Sequence, residues 1–230
     1  MSELALLEEK LNIKFQNKKL LEEAFTHRSY LNENPDWAGN HNERLEFLGD
    51  AVLELAVTEH LYSNFPDKTE GDLTSYRAAL VNSNMLAELA QEIGLNDYLM
   101  LSRGEAKDLG RARQYILANT FEALVGAIHL DQGYLAAEKF IKETVLTKVS
   151  DVIAKKLFRD PKSVFQERAQ EAVGITPTYE VMKEWGPDHN KHFIVGVYLG
   201  KELIAEGEGP SKQEAQLRAA EEGLRVKNWA

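Results

Sequence analysis

One segment, Asn42–Leu53, places three acidic residues inside an otherwise apolar stretch. Glu43, Glu46 and Asp50 follow one another at steps of three and four, so all three project from one face of a helix. The apolar residues around them, which favour burial of this helix, are Leu45, Phe47, Leu48, Val52 and Leu55. Because an unpaired carboxylate in a partly desolvated place is costly, the segment calls for a compensating cation. A hard divalent metal fits, since Mg²⁺ prefers carboxylate oxygens. The alternative is a solvated acidic stripe on a surface helix, which the apolar density disfavours.

A second apolar run, Ile116–Leu130, carries polar residues of its own. Asn119 and Glu122 lie three apart and therefore on one side of a helix. If this helix packs beside the first, the two helices can surround one cavity with the oxygen atoms of Glu46, Asp50, Asn119 and Glu122. Asn119 and Glu122 would alternatively cap or brace neighbouring helices. Two acid-bearing apolar helices favour a shared metal site.

These segments resemble a known family. Asn-Glu-Arg-Leu-Glu-Phe-Leu-Gly-Asp at 42–50 and Leu-Ala-Asn-Thr-Phe-Glu-Ala-Leu-Val-Gly-Ala at 117–127 are similar to the two signatures of bacterial ribonuclease III. Glu70-Gly-Asp-Leu-Thr74 and Arg77 resemble its middle motif, and the likeness extends over the C-terminal third. The resemblance implies hydrolysis of double-stranded RNA that depends on Mg²⁺, for which Mn²⁺ would substitute. It also implies 5′-phosphate and 3′-hydroxyl ends, two-nucleotide 3′ overhangs, a homodimer, and processing of ribosomal RNA precursors and other structured transcripts, messengers included.

The resemblance also implies roles for particular residues. The expected metal ligands are Glu46, Asp50, Asn119 and Glu122, and Asp50 and Glu122 are the expected catalytic residues, which orient or deprotonate water. Glu43 and Glu70 would line the same valley and position RNA, or would be solvated charges. Phe47 is a candidate dimer-interface residue, with an ordinary core phenylalanine as the alternative.

Asn119 departs from the aspartate that is commoner in the family. Its amide oxygen can bind Mg²⁺ but contributes a dipole instead of a full charge, so we expect weaker metal affinity. One rival hypothesis is a protein that keeps the nuclease fold and binds RNA without cutting it. Another is a di-iron carboxylate protein, which the absence of Glu-x-x-His pairs disfavours.

Composition limits the choice of class. With 230 residues, 43% of them apolar, the chain can bury a core in one or two domains. It has no cysteine, no signal-like start and no run long enough to cross a bilayer, so we expect a soluble, cytoplasmic protein without membrane contact. The net charge is −10, and residues 159–230, with 10 Lys and Arg against 12 Asp and Glu, account for −2 of it. RNA contacts must therefore come from small, placed basic clusters.

The periodicity predicts two domains. Residues 1–153 show helical spacing, with predicted loops at 32–40, 65–71, 94–97 and 102–111, and form an all-α endonuclease domain. A linker is predicted at 154–160 and a small α+β domain at 161–230. There Asp160 and Pro161 begin a helix that Gly174 ends. Strands follow at Thr178–Trp185, His192–Leu199 and Glu202–Gly207, and Ser211 caps a last helix. The order α-β-β-β-α resembles the double-stranded-RNA-binding domain.

Three patches of the small domain match that use, because such domains recognise the shape of A-form RNA through minor-groove and phosphate contacts. Gln166 and Glu167 would face away from the buried side formed by Phe165, Ala169 and Val173. The turn at 186–191 would insert His189 into the next minor groove, with Lys191 beside it. Ser211 and Lys212 lie at a helix N-terminus that favours phosphate. Each is alternatively an ordinary surface residue. The family usually has a second lysine at Gln213, so weaker, less salt-dependent binding is expected.

Overall fold

The computed structural model describes residues 3–107, 110–154, 160–187 and 191–229. The chain divides into two compact units, residues 1–158 and 159–230, and each is described by itself. Of the predicted linker 154–160, residues 155–159 lie outside the described part, Ala154 ends a helix, and Asp160 precedes the next one. Within the described part, no helix is long and apolar enough to cross a membrane.

The first unit is helical, as the periodicity predicts. Its helices are α1 (Glu3–Leu11), α2 (Lys18–Phe25), α3 (Arg28–Glu33), α4 (Glu43–Asn64), α5 (Glu70–Val81), α6 (Ser83–Glu92), α7 (Arg103–Lys107), α8 (Arg111–Gln132), α9 (Tyr134–Glu143) and α10 (Val149–Ala154). Short 3₁₀ helices span Leu95–Tyr98 and Val145–Lys148. The predicted loop at 102–111 contains α7, because the Ser102 hydroxyl accepts the Glu105 N–H at 3.3 Å and starts a helical turn.

The two long helices α4 and α8 form the centre of this unit. Residues 123–128 of α8 are all buried, and the same core takes in Leu53 and Val57 of α4. The start of α4 is fixed by buried Asn42, whose N–H donates to the Thr26 carbonyl at 2.9 Å and whose side-chain amide donates to the Ala24 carbonyl at 3.3 Å. These bonds tie the acidic end of α4 to the end of α2.

Two apolar residues of α4 that the sequence predicts to be buried, Phe47 and Leu55, are exposed. Phe47 is 82% exposed and Leu55 is 50% exposed. They lie eight residues apart, so both project from the side of α4 that is turned away from the core. Phe47 is therefore not a core residue of this unit.

The second unit is a three-stranded antiparallel sheet with two helices. Its elements are α11 (Pro161–Val173), β1 (Thr178–Trp185), β2 (His192–Leu199), β3 (Glu202–Gly209) and α12 (Lys212–Val226), and the strand order is β1-β2-β3. The predicted bounds of the first two strands are confirmed, and β3 is two residues longer than predicted.

The capping signals of the second unit are confirmed. The Asp160 carboxylate accepts the Lys162 N–H at 2.8 Å, and Gly174 ends α11 with a positive φ of 69°. The Ser211 hydroxyl caps α12 by accepting the Glu214 N–H at 3.2 Å. The buried core includes Phe165 and Ala169 of α11, whereas Val173, predicted on that side, is 51% exposed in the last turn.

Candidate active site

Helices α4 and α8 approach so closely that their backbones touch at two glycines. A Cβ atom added to Gly49 would lie 1.7 Å from the carbonyl oxygen of Glu122. A Cβ atom added to Gly126 would lie 2.3 Å from the carbonyl oxygen of Leu45. No side chain separates the helices at this crossing. The polar residues one turn from it, on both helices, are therefore brought to the same place.

Glu46 and Asn119 meet across this crossing. The Asn119 side chain hydrogen-bonds the Glu46 carboxyl group, which favours its charged form. That effect is outweighed, because burial above all, and then the negative charges of Glu43 and Asp50, raise the pKa of Glu46. The two long helices thus contribute to one polar cluster, which we call the α4–α8 cluster: Glu46, Asp50, Asn119 and Glu122.

Glu122 is the most perturbed acid of the α4–α8 cluster. Burial, followed by the negative charges of Asp50 and Glu46, raises the pKa of Glu122 to about 8. Its carboxyl group is therefore largely protonated at neutral pH when nothing positive is near. The shift arises because three acids share a place that is partly removed from water. Such crowding of carboxyl groups is typical of functional sites and fits a cation.

The α4–α8 cluster is open to solvent on one side. Asp50 is exposed, whereas Glu46, Asn119 and Glu122 are partly buried. Throughout the described ranges, no three His, Cys, Asp or Glu side chains converge on a point where they could hold a metal ion. What fits a hard divalent cation is the chemistry of the donors, which are three carboxyl groups and one amide oxygen, and the electrostatic penalty that they share.

Glu43 lies one turn before Glu46 and is contacted by two basic side chains that the sequence did not single out. An Arg28 guanidinium nitrogen lies 3.5 Å from one carboxylate oxygen of Glu43. The Nδ1 atom of His41 lies 3.8 Å from the other, which is too long for a hydrogen bond. His41 is two residues from Glu43, but no sequence pattern pointed to Arg28 in the preceding helix.

Glu70 is not brought to the α4–α8 cluster within this chain. It lines a cavity of about 450 Å³ together with Thr58, Tyr62 and Arg77, between α4 and the start of α5. Thr58 is twelve residues after Glu46, which is about 18 Å along the helix axis. The Thr74 hydroxyl donates to Glu70 at 3.3 Å. Phe47, three residues before Asp50 on α4, is the large exposed side chain nearest to the cluster in sequence.

In the second unit, the described residues expected to contact RNA are exposed or half-buried and lie on different elements. Gln166 and Glu167 are exposed on α11, while Phe165 and Ala169 are buried on its other side. Lys191, which directly precedes β2, lies 3.5 Å from a Glu184 carboxylate oxygen. The expected His189 lies outside the described residues.

The N-terminus of α12 carries the third patch. The Ser211 hydroxyl is engaged in capping the helix. Lys212 is exposed, and its ammonium group lies 5.6 Å from the centre of the Phe193 ring, a distance at which the ring attracts the cation. Gln213 is also exposed.

Comparison with known families and proteins covers both units. The family model described as Ribonuclease-III-like matches residues 17–149, and the model described as Double-stranded RNA binding motif matches residues 161–227. Ribonuclease 3 of Borreliella afzelii is 44% identical over 218 residues, which are 95% of this chain and 89% of that protein. Ribonuclease 3 of Nitratiruptor sp. is 42% identical over 226 residues, which are 98% of this chain and 97% of that protein.

Solved structures match as well. A crystal structure of the nuclease domain of ribonuclease III from Campylobacter jejuni is 38% identical, covers 66% of this chain and 96% of that chain, and superimposes with a TM-score of 0.56. A second structure of that domain, described for flexibility in a region involved in dimer formation, is 41% identical. It covers 60% of this chain and 92% of that chain, with a TM-score of 0.54.

Proposed function

The chain belongs to the ribonuclease III family and is an endoribonuclease for double-stranded RNA, and we propose that it cuts RNA at the α4–α8 cluster with the help of a divalent metal ion. The observation that supports this most is the glycine crossing. It brings acids from two helices to one solvent-open place, where the pKa of Glu122 rises to about 8.

Mg²⁺, for which Mn²⁺ would substitute, is the cation that we propose. Glu46, Asp50, Asn119 and Glu122 would hold it, because each offers a side-chain oxygen at the cluster. The bound cation would lower the pKa of a water molecule and neutralise charge that develops on the phosphate. It would also relieve the repulsion that burial and two neighbouring acids impose on Glu122.

The chain's own residues orient the attacking water and take up its proton. Asp50, the acid of the cluster that is exposed, orients the attacking water and accepts its proton at a carboxylate oxygen, and Glu122 shares that role. Water attacks the phosphorus, the bond to the 3′ oxygen breaks, and that oxygen takes a proton from solvent water, so the products carry 5′-phosphate and 3′-hydroxyl ends. Arg28, 3.5 Å from a Glu43 carboxylate oxygen, reduces the negative charge that an incoming phosphate meets.

The small unit would supply most of the affinity for the duplex. We assign residues 1–153 to the endonuclease domain, 154–160 to the linker and 161–230 to the RNA-binding domain. Gln166 and Glu167 would contact 2′-hydroxyl groups in one minor groove. His189 and Lys191 would contact the next minor groove. Ser211 and Lys212 would contact the phosphates between the two grooves. The substrates proposed are ribosomal RNA precursors and other structured transcripts in the cytoplasm.

A homodimer would account for cutting both strands. We propose that Phe47 lies in its interface, since a phenylalanine that is 82% exposed on a helix next to the α4–α8 cluster favours an apolar partner surface. A twofold dimer would present two clusters, one for each strand, and the cuts would be offset by a two-nucleotide 3′ overhang. Glu70 would position RNA at a distance from the cluster of its own chain.

The dimer is tested by the variant Phe47→Ser, which should shift the sedimentation equilibrium towards monomer. Leu135→Ser is a matched control, because Leu135 is 76% exposed on α9 and has no assigned role. If Phe47→Ser and Leu135→Ser sediment like the unchanged protein, Phe47 does not stabilise a dimer.

The cleavage reaction is tested with a uniform RNA duplex of defined length, with and without Mg²⁺. We expect short duplex products with 3′ overhangs when Mg²⁺ is present, and their loss in Glu122→Gln and Glu46→Gln, with duplex binding retained. Retarded but uncut RNA from the unchanged protein, with Mg²⁺ or Mn²⁺, would support the rival function of binding without cleavage.

A further inference from the structure

Helix α8 has a narrow solvent-facing strip that runs through the α4–α8 cluster. Between Ile116 and Ile128, Asn119 and Glu122 are the residues that are not buried. Tyr115 comes just before this section and is 51% exposed. It lies four residues before Asn119 and seven before Glu122, so the three side chains share one face of the helix. Tyr115 is therefore the next accessible residue along that face.

The strip is open towards Tyr115 and closed at its other end. Beyond Glu122, the next position of the face is Gly126, where the backbone of α4 lies directly on α8. A chain that lies on α8 and is bound at Asn119 and Glu122 therefore passes Tyr115 when it leaves along the helix. One helical turn separates Tyr115 from Asn119, about 6 Å along the axis. This is a distance that a neighbouring nucleotide spans.

The chemistry of Tyr115 suits a ribose better than a phosphate. Its hydroxyl group makes no hydrogen bond within the described part of the chain, so it is available to a ligand. A phenol both donates and accepts a hydrogen bond, and its ring packs against the carbon atoms of a sugar. Phosphate is normally bound by a cation or by backbone N–H groups, and a phenol on the same helix face as Glu122 supplies neither. A 2′-hydroxyl group is neutral and also donates and accepts.

We propose that Tyr115 hydrogen-bonds the 2′-hydroxyl group of one nucleotide next to the scissile phosphate. It thereby positions the strand and favours RNA over DNA in the nuclease unit itself. The inference rests on the proposed function, because it takes the α4–α8 cluster as the place of cleavage. It adds a substrate-positioning residue that contacts sugar, separate from the acids that carry out the reaction.

The experiment combines a variant with modified substrates. Cleavage rates are measured on RNA duplexes that carry a single 2′-deoxy nucleotide at each position within three nucleotides of the cut. The proteins compared are the unchanged chain, Tyr115→Phe, which loses only the hydroxyl group, and Tyr198→Phe as a matched control in the sheet of the second unit. For the unchanged chain, we expect one position at which the 2′-deoxy substitution lowers the rate by roughly three- to tenfold, as loss of one hydrogen bond predicts.

At that position Tyr115→Phe should cut the all-RNA and the 2′-deoxy duplex at the same rate, while Tyr198→Phe keeps the difference. This coupling depends on the contact itself, so a general loss of stability would not imitate it. The inference is overturned if Tyr115→Phe shows the same pattern of 2′-deoxy effects as the unchanged chain. Failure of the unchanged chain to cut any duplex would instead overturn the proposed function.

Discussion

Asn119 is the one cluster residue that cannot carry a charge. Its amide donates a hydrogen bond to Glu46 and so partly offsets the burial that raises the pKa of that acid. An aspartate at this position would remove the donor and add a fourth carboxyl group. Without a cation, the fourth carboxyl group would destabilise the cluster. With a cation present, the cluster would bind that cation more tightly.

Asn119→Asp should therefore lower the Mg²⁺ concentration for half-maximal cleavage, by roughly three- to tenfold for one added ligand charge at a partly buried site. A Mg²⁺ titration of the initial cleavage rate measures this shift. Asn64→Asp is the control, because it adds the same charge at the exposed far end of α4. An unchanged Mg²⁺ dependence in Asn119→Asp would mean that residue 119 does not hold the metal.

Glu122 makes metal-free stability depend on pH. Its pKa is raised to about 8, above the ordinary value, so folding favours the protonated form. The stability it contributes is complete below the ordinary pKa and is lost as pH rises through the folded value. Glu46, whose pKa is also raised, acts in the same direction.

We expect the unfolding free energy in EDTA to fall between about pH 5 and pH 8.5, since this range spans the ordinary and folded pKa values. Urea unfolding at both pH values measures the fall. Glu122→Gln should make this fall in unfolding free energy smaller, and added Mg²⁺ should restore the stability of the unchanged chain at the higher pH. A fall of the same size in Glu122→Gln would show that other groups cause it.

At the scale of elements, the crossing of α4 and α8 determines the site. Gly49→Ala would place a methyl group 1.7 Å from the Glu122 carbonyl oxygen, so the helices must separate. We expect a loss of about 3 kcal/mol or more in unfolding free energy, at the upper end of overpacking costs, together with loss of cleavage. Chemical denaturation and the duplex assay measure the two effects.

Gly71→Ala is the matched control for that change. Gly71 is also helical, but the nearest atom to an added Cβ, the Thr69 hydroxyl oxygen, is 3.8 Å away. Alanine at an open helical position should stabilise the chain by about 0.5–1 kcal/mol. If the two variants had equal stability, the close approach of α4 and α8 would not be a constraint.

The helices and strands are predicted well where the sequence carries a signal for both ends of the element. Asp160, Pro161 and Gly174 marked both ends of α11, and the alternation in β2 fixed its face. The loop at 102–111 was predicted from Gly104 and Gly110, but a serine cap overrode the low helical propensity and formed α7. The exposure of Phe47 could not be predicted from periodicity, because an apolar residue on an amphipathic helix is ordinarily buried.

The sequence also indicated which helices would come together, though not how. Acids in two apolar runs suggested neighbouring helices, and α4 and α8 do pack against each other. The close approach depends on one glycine in each helix. Both glycines can be read from the sequence, at positions 49 and 126, but no periodic pattern indicates that the helices touch there. The contact between Arg28 and Glu43 could not be predicted from the sequence, because it depends on how α3 is placed beside α4.

At the scale of the molecule, a net charge of −10 makes RNA binding depend on few cations. Gln213→Lys should raise duplex affinity and steepen its decline with salt, because one more phosphate contact changes the slope of log affinity against log salt by about 0.9. Filter binding at several salt concentrations measures both. Ala172→Lys, an exposed position on α11, should change them much less. Equal effects of the two variants would mean that only total charge matters.

The direct contact between the main chains of α4 and α8 has a consequence for how this protein tolerates change. The spacing of its acidic groups is set by two helical axes that rest on each other, not by the sizes of the surrounding core residues. A Leu-to-Met or Ile-to-Val exchange elsewhere in the core should therefore cost stability without altering the reaction. For the same reason the crossing is a suitable starting point for redesign, in which a new interior is built around an unchanged arrangement of the α4–α8 cluster.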